Sequence, residues 1–133
     1  MSFPKRILLV DDEPTILLGL SYLFQRAGGR VTACLSRSEA MEAIQNQLFD
    51  LALLDVRLSG NDTRAGLDLL THLKERSPHT QVIVLTAFGS DEIRAEALAR
   101  GAAHYCEKPL NLDHLLGIVR NLSNSGSSIA PTL

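Results

Sequence analysis

The chain has little that would tie it to an oxidising compartment, a membrane or a nucleic acid. It contains two cysteines, Cys34 and Cys106, which fit no zinc-binding or redox spacing and read as buried free thiols of a reducing cytoplasm. No apolar run is long enough for a signal peptide or a membrane span, since the early stretch Ile7 to Val10 is four residues long and acidic groups follow at once. A formal net charge of −2 gives no electrostatic footprint for nucleic acid, so DNA binding by this segment is not expected. Nor is the chain poor in apolar residues. At 45% hydrophobic and 21% charged, its 133 residues suit one domain, able to bury roughly two-thirds of its unfolded surface without disulfides or structural metal.

What is present is a strand–helix alternation organised around Phe49-Asp50-Leu51-Ala52-Leu53-Leu54-Asp55-Val56. Four successive apolar residues without alternation suit a strand covered on both faces, and that strand delivers a carboxylate, Asp55, at its far end. Similar runs lie on either side. Arg6 to Val10 ends in Asp11-Asp12, and Gln81 to Thr86 presents a hydroxyl at its end. Weaker strands are expected at Arg30 to Leu35 and at Ala102 to Cys106, the latter followed by a Glu107-Lys108-Pro109 turn.

Helical periodicity fills the gaps. Pro14 opens a first helix whose Ile16, Leu20, Leu23, Phe24 and Ala27 recur at helical spacing up to Gly28-Gly29. Ser36 and Glu39 have capping-box spacing ahead of a second helix with Ala40, Ile44 and Leu48 on one face. Leu67, Leu70 and Leu73 mark a third. Ser90 caps a fourth, alanine-rich helix with a thin apolar face that ends at Gly101. Asn111 caps a fifth, carrying Leu112, Leu115, Leu116, Val119 and Leu122. The domain is therefore read as residues 1–122, and the polar composition from Ser123 to 133 as a tail or linker. Five such repeats imply a doubly wound parallel α/β sheet with right-handed crossovers, whose ligand crevice lies beyond the carboxyl ends of its strands.

Those strand ends would collect Asp11, Asp12 and Asp55, the Thr86 hydroxyl and the Lys108 ammonium. Three clustered carboxylates repel one another and suit a hard divalent cation, with oxygen ligands favouring Mg²⁺. A cation beside a lysine makes a phosphate site, where a carboxylate can attack phosphorus and carry the phosphoryl group. Singly, each residue has an ordinary use, as helix cap, strand residue or solvated turn. Four histidines, His72, His79, His104 and His114, share no spacing and read as surface or packing residues.

Together the motifs resemble the receiver domains of two-component response regulators. Val10-Asp11-Asp12-Glu13 is similar to the family's acidic pair, Leu54-Asp55 to its phosphoacceptor, Leu85-Thr86-Ala87 to its switch hydroxyl, and Glu107-Lys108-Pro109 to its lysine–proline turn. The resemblance spans Lys5 to about Asn121. It implies a flavodoxin-like (βα)5 fold with strand order 2-1-3-4-5, a cis Lys108–Pro109 bond, and Mg²⁺ held by Asp11, Asp12, Asp55 and the backbone carbonyl of Arg57. The implied protein is a signalling switch, not a turnover enzyme, although it assists its own phosphotransfer and dephosphorylation. A sensor histidine kinase or phosphotransfer protein would be its donor. An output domain or partner would be governed through the surface of the fourth helix, fifth strand and fifth helix, which could also support a homodimer. Tyr105 takes the position of the aromatic switch residue, and Arg57 and Phe88 those flanking the hydrolytic water.

The pattern departs from the family after Asp55. Ser59 stands where a proline is common, Gly66 is the better match to a family glycine, and the loop from Ser59 to Gly66 looks about three residues longer. A rival reading is a Mg²⁺-dependent phosphatase of the dehalogenase type. Those enzymes resemble Asp-x-Asp after the first strand, which adjacent Asp11-Asp12 does not fit.

Overall fold

Apolar runs without alternation need a cover on each side, and the chain supplies it. A computed structural model describes residues 3–59 and 62–129, without the side chains of 123–129. The strands are β1 (Arg6–Val10), β2 (Arg30–Cys34), β3 (Leu51–Asp55), β4 (Gln81–Thr86) and β5 (His104–Glu107). All pair in parallel, in the order β2-β1-β3-β4-β5 expected of the flavodoxin-like fold. The helices are α1 (Pro14–Arg26), α2 (Arg37–Asn46), α3 (Ala65–Arg76), α4 (Asp91–Ala99) and α5 (Leu112–Ile129). No helix among the described residues is long and apolar enough to cross a membrane.

Successive residues of each central strand point to opposite faces and enter two separate cores. Leu8, Val10, Ala52, Leu54, Val82 and Val84 pack with α2 and α3, whereas Ile7, Leu9, Leu51, Leu53, Ile83 and Leu85 pack with α1 and α5. Pairing of Val10 with Leu54, Asp55 with Leu85 and Thr86 with Glu107 brings the functional strand ends to one edge of the sheet.

Helix ends explain most departures from the expected boundaries. Gly101, at φ 110°, closes α4 in a Schellman motif in which Gly101 N–H donates to Leu98 O and Ala102 N–H to Ala97 O. That cap uses Ala102, so β5 begins at His104 and not at Ala102. In α2 the Ser36 hydroxyl accepts from Glu39 N–H at 3.2 Å as expected, but the helix stops at Asn46. Leu48 is consequently 54% exposed, and Phe49 fills the core instead. Leu112, at the first turn of α5, is 41% exposed, and Ile118 takes its place in the buried stripe with Leu115 and Val119. In α1, Leu17 joins Leu20 and Phe24 in the core. The backbone helix of α5 runs past Ser123 to Ile129, because a helix already nucleated extends at little cost through polar residues; 130–133 lie outside the described residues. All four histidines are exposed, Cys34 is buried and Cys106 half-buried, both as free thiols.

Gly66 ties helix to strand. Its N–H donates to Val56 O at 2.9 Å, and a Cβ there would fall 2.1 Å from the carbonyl oxygen of Asp55. Only glycine allows α3 to start against the backbone that carries Asp55. Gly66→Ala should destabilise the protein by about 2–3 kcal/mol, the usual cost of overpacking against a backbone that cannot yield. Urea unfolding would measure it, and a loss under about 0.5 kcal/mol, as at an ordinary surface site, would contradict the close packing.

Candidate functional site

Lys108 reaches the strand ends because its turn is held to β4: its backbone N–H donates to Thr86 O at 2.9 Å, and the following Lys108–Pro109 peptide is cis. From there its ammonium lies 3.1 Å from Asp55 Oδ2, 2.7 Å from Asp11 Oδ2 and 2.9 Å from Glu13 Oε1. Glu13, which in the sequence is only the neighbour of the acidic pair, is thus a third partner of the lysine. Asp11 also accepts from Glu13 N–H through Oδ1 at 2.9 Å, and Asp55 Oδ1 accepts from Arg57 N–H at 3.3 Å.

The electrostatics follow from burial. Asp55 is 5% exposed, and desolvation, reinforced by the Asp11 charge, pushes its pKa up to about 6 against the partial relief given by Lys108. Burial alone would lower the Lys108 pKa. Contact with Asp11 and Glu13 and the charges of Asp55 and Asp11 outweigh it, so the ammonium is held above the ordinary lysine range.

Asp11, Asp12 and Asp55 each offer a carboxylate oxygen within 4.8 Å of the others. Asp11 and Asp55 are buried and Asp12 is exposed. Asp11 Oδ2 is buried and, although close to the lysine, has no hydrogen bond of acceptable geometry. Three carboxylates that each offer an oxygen to one point form an all-oxygen cluster that fits a hard divalent cation, so this group could bind a metal.

A cleft of about 390 Å³ opens over the cluster, lined among others by Asp12, Asp55, Arg57, Phe88 and Lys108. The Arg57 guanidinium lies 4.5 Å from the centroid of the Phe88 ring, a cation–π contact over the cleft that spacing in sequence did not reveal. Thr86 is fully buried, and its Oγ1 accepts from Phe88 N–H at 3.0 Å. Tyr105 sits apart from the acidic cluster. Its hydroxyl is 3.5 Å from Glu107 Oε2, and it closes over Gly89, where a Cβ would fall 2.0 Å from the Tyr105 hydroxyl oxygen.

An open five-stranded parallel sheet with an acidic cluster and a lysine at its carboxyl edge defines a phosphoacceptor class of α/β protein. The chain belongs to the response regulator receiver domain family, whose model matches residues 7–120. It is 41% identical over 116 residues to the transcriptional activator protein PfeR of Pseudomonas aeruginosa, covering 86% of this chain and 37% of the relative. With the alginate biosynthesis transcriptional regulatory protein AlgB of Pseudomonas putida it shares 39% identity over 110 residues, covering 83% of this chain and 24% of the relative. The chain thus spans between a quarter and somewhat over a third of these relatives' length. Among solved structures, a CheY-like response regulator receiver domain protein from Methanospirillum hungatei is similar with a TM-score of 0.86 and 31% identity, over 93% of this chain and 97% of the other. The beryllofluoride-activated DrrB receiver domain is similar with a TM-score of 0.81 and 31% identity, over 93% and 99% of the two chains. The domain is a phosphoacceptor signalling switch of this family. The dehalogenase-type reading finds no support: adjacent Asp11 and Asp12 differ in setting, one buried and one exposed.

The raised Asp55 pKa sets a pH dependence. The native state binds the Asp55 proton more tightly than an unfolded chain with a carboxyl pKa of 3.8, so ionisation removes stability as pH rises from about 4 to 6. Without divalent cation, Asp55→Asn should therefore stabilise the protein at pH 7.5 by on the order of 2 kcal/mol, and hardly at all at pH 4. Urea unfolding of both proteins in chelator at the two pH values checks this; equal effects at both would show that burial of the charge is not the cause.

Proposed function

We propose that Asp55 is the phosphoacceptor of a two-component system, taking its phosphoryl group from the phosphohistidine of a sensor kinase or phosphotransfer protein in the cytoplasm. An Asp55 carboxylate oxygen forms the bond to phosphorus as the phosphorus–nitrogen bond breaks. The departing imidazole keeps the electron pair and takes up a proton. The observation that carries this reading is the 3.1 Å approach of Lys108 Nζ to Asp55 Oδ2 at the floor of an open cleft. Lys108 neutralises the transferred oxygens. Asp11, Asp12 and Asp55, with the main-chain carbonyl of Arg57, would hold Mg²⁺, which when bound supplies further positive charge against those oxygens.

The switch follows from the same groups. Thr86 Oγ1 accepts from Phe88 N–H, which leaves its own proton free for a phosphoryl oxygen once the side chain turns toward Asp55. Tyr105 then moves inward from its place over Gly89. Its movement remodels the α4-β5-α5 surface, where α4 is weakly anchored because Ala97 is its one buried residue. That surface would meet an output domain or partner, or a second copy of the chain. Residues 1–122 form the switch, and 123–133 serve as a tail or as a linker to an output; the transcriptional roles in the relatives' names favour an output in transcription. The domain itself contacts no nucleic acid or membrane. It also assists loss of its own phosphoryl group, at a rate held down by Arg57 and Phe88. Neither is a carboxylate or amide that could orient a water, and their stack narrows the approach to Asp55.

Asp55→Asn should abolish incorporation from a small phosphodonor or phosphorylated kinase. Chelation of divalent cation should abolish it in the parent. Stoichiometric labelling in either case would refute the assignment. Phe88→Glu and Arg57→Asn should each shorten the lifetime of the phosphorylated form several-fold, measured by loss of label at fixed Mg²⁺ and pH; an unchanged lifetime in both would remove Arg57 and Phe88 from that role.

A further inference from the structure

The outer face of α2, α3 and α4 carries a chain of alternating charges. Arg37 pairs with Asp62 at 3.2 Å and with Asp68 at 2.9 Å. Asp68 also meets Arg100 at 3.4 Å, and Arg100 pairs with Glu96 at 2.7 Å. Glu96 is also paired with Arg64. The two ends of this chain, Asp62 and Arg64, lie in the same loop, the one between β3 and α3. One of its charged side chains reaches α2 and the other reaches α4.

Helix α4 has little else to hold it. Ala97 is buried and Ile93 is partly buried against the core, while the rest of the helix is polar or exposed. Arg100 reinforces the attachment, since its guanidinium also donates to Leu67 O at 2.9 Å and to Thr71 Oγ1 at 3.1 Å on α3. Asp68 and Glu96 are both held below the usual carboxylate range by their arginines, though burial acts the other way. Single exposed ion pairs contribute little, but Asp68 and Glu96 each serve two arginines, and Arg37 and Arg100 each serve two acids.

We propose that the β3–α3 loop is a charged strap on α4, so that the freedom of α4, and through it the ease of the switch, is set by the Asp62–Arg64 loop and its Arg100 hub. This rests, for its second half, on the switch surface proposed above; the first half does not. Loosening the strap should let α4 open more often without unfolding the sheet.

Hydrogen exchange of the intact chain, read on peptides from α4 and from β3, tests the strap alone. Arg64→Ala and Glu96→Gln should each speed α4 exchange roughly two- to fivefold and leave β3 unchanged. Arg64→Lys should keep most of the protection. Arg94→Ala, on the same helix but without an ion pair among the described residues, should have no effect. Raising salt to about 1 M, where charges are screened beyond about 3 Å, should loosen α4 in the parent and add little in Arg64→Ala. Unchanged α4 exchange in both Arg64→Ala and Glu96→Gln overturns the strap, as does an Arg94→Ala effect of equal size. Beryllofluoride with Mg²⁺ then tests the coupling. If the strap variants exchange faster, yet α4 of the parent is indifferent to the phosphoryl mimic, the strap stands and the proposed switch surface fails. If α4 of the parent responds and the variants require the same mimic concentration, the strap does not govern the switch.

Discussion

One ammonium group makes the carboxyl edge of this sheet tolerable. Lys108 stands within ion-pair distance of Asp11, Glu13 and Asp55, and without it two buried carboxylates would face each other with only backbone N–H groups for relief. Its position is not local in sequence. The lysine comes from the last strand–helix turn, the aspartates from the first and third strands, and β4 carries the turn through the bond from Lys108 N–H to Thr86 O. The parallel order of the strands is what brings the four acids and one base to a single edge. Even so the lysine does not satisfy everything: the Asp55 pKa stays raised, so the site retains a demand for positive charge.

Much of this was legible in the sequence because it depends on short-range rules. Apolar runs ending in Asp11-Asp12, Asp55 and Thr86 located three strand ends to the residue, since a strand covered on both faces must be apolar until it leaves the sheet. Ser36 and Ser90 announced two helix starts for the same reason, each accepting a backbone hydrogen bond close by. The errors lie where local pattern and tertiary position part. Leu48 and Leu112 continue a helical periodicity in the sequence, but Leu48 lies beyond the end of α2 and Leu112 in the first turn of α5, and both are exposed. Ala102 looked like strand and is spent on capping α4.

The pairings made across long sequence distances were not legible at all. Nothing in the spacing of Arg37, Asp68, Arg100 and Glu96 suggests that they alternate across three helices, because complementary charges on exposed faces are common and carry no period. The Arg57–Phe88 contact is similar: the resemblance singles out both residues, but their stacking joins the loop after β3 to the loop after β4 across a separation in sequence that carries no pattern. Through the Arg57 and Phe88 backbone N–H groups, the same two loops also orient Asp55 and Thr86. Groups that position the reactive carboxylate and the hydroxyl are thus mechanically continuous with those that cover the cleft.

The neck of the β3–α3 loop has a separate consequence. Leu58 N–H donates to Asp62 O at 3.0 Å in an isolated antiparallel bridge, and Gly66 is pinned to Val56 just beyond it. Chain leaving the sheet is brought back beside its point of departure before α3 begins. The entropic cost of closing the loop at this neck rises only logarithmically with its length. A change in the number of residues between Leu58 and Asp62 would therefore leave the start of α3 tied to the strand that carries Asp55.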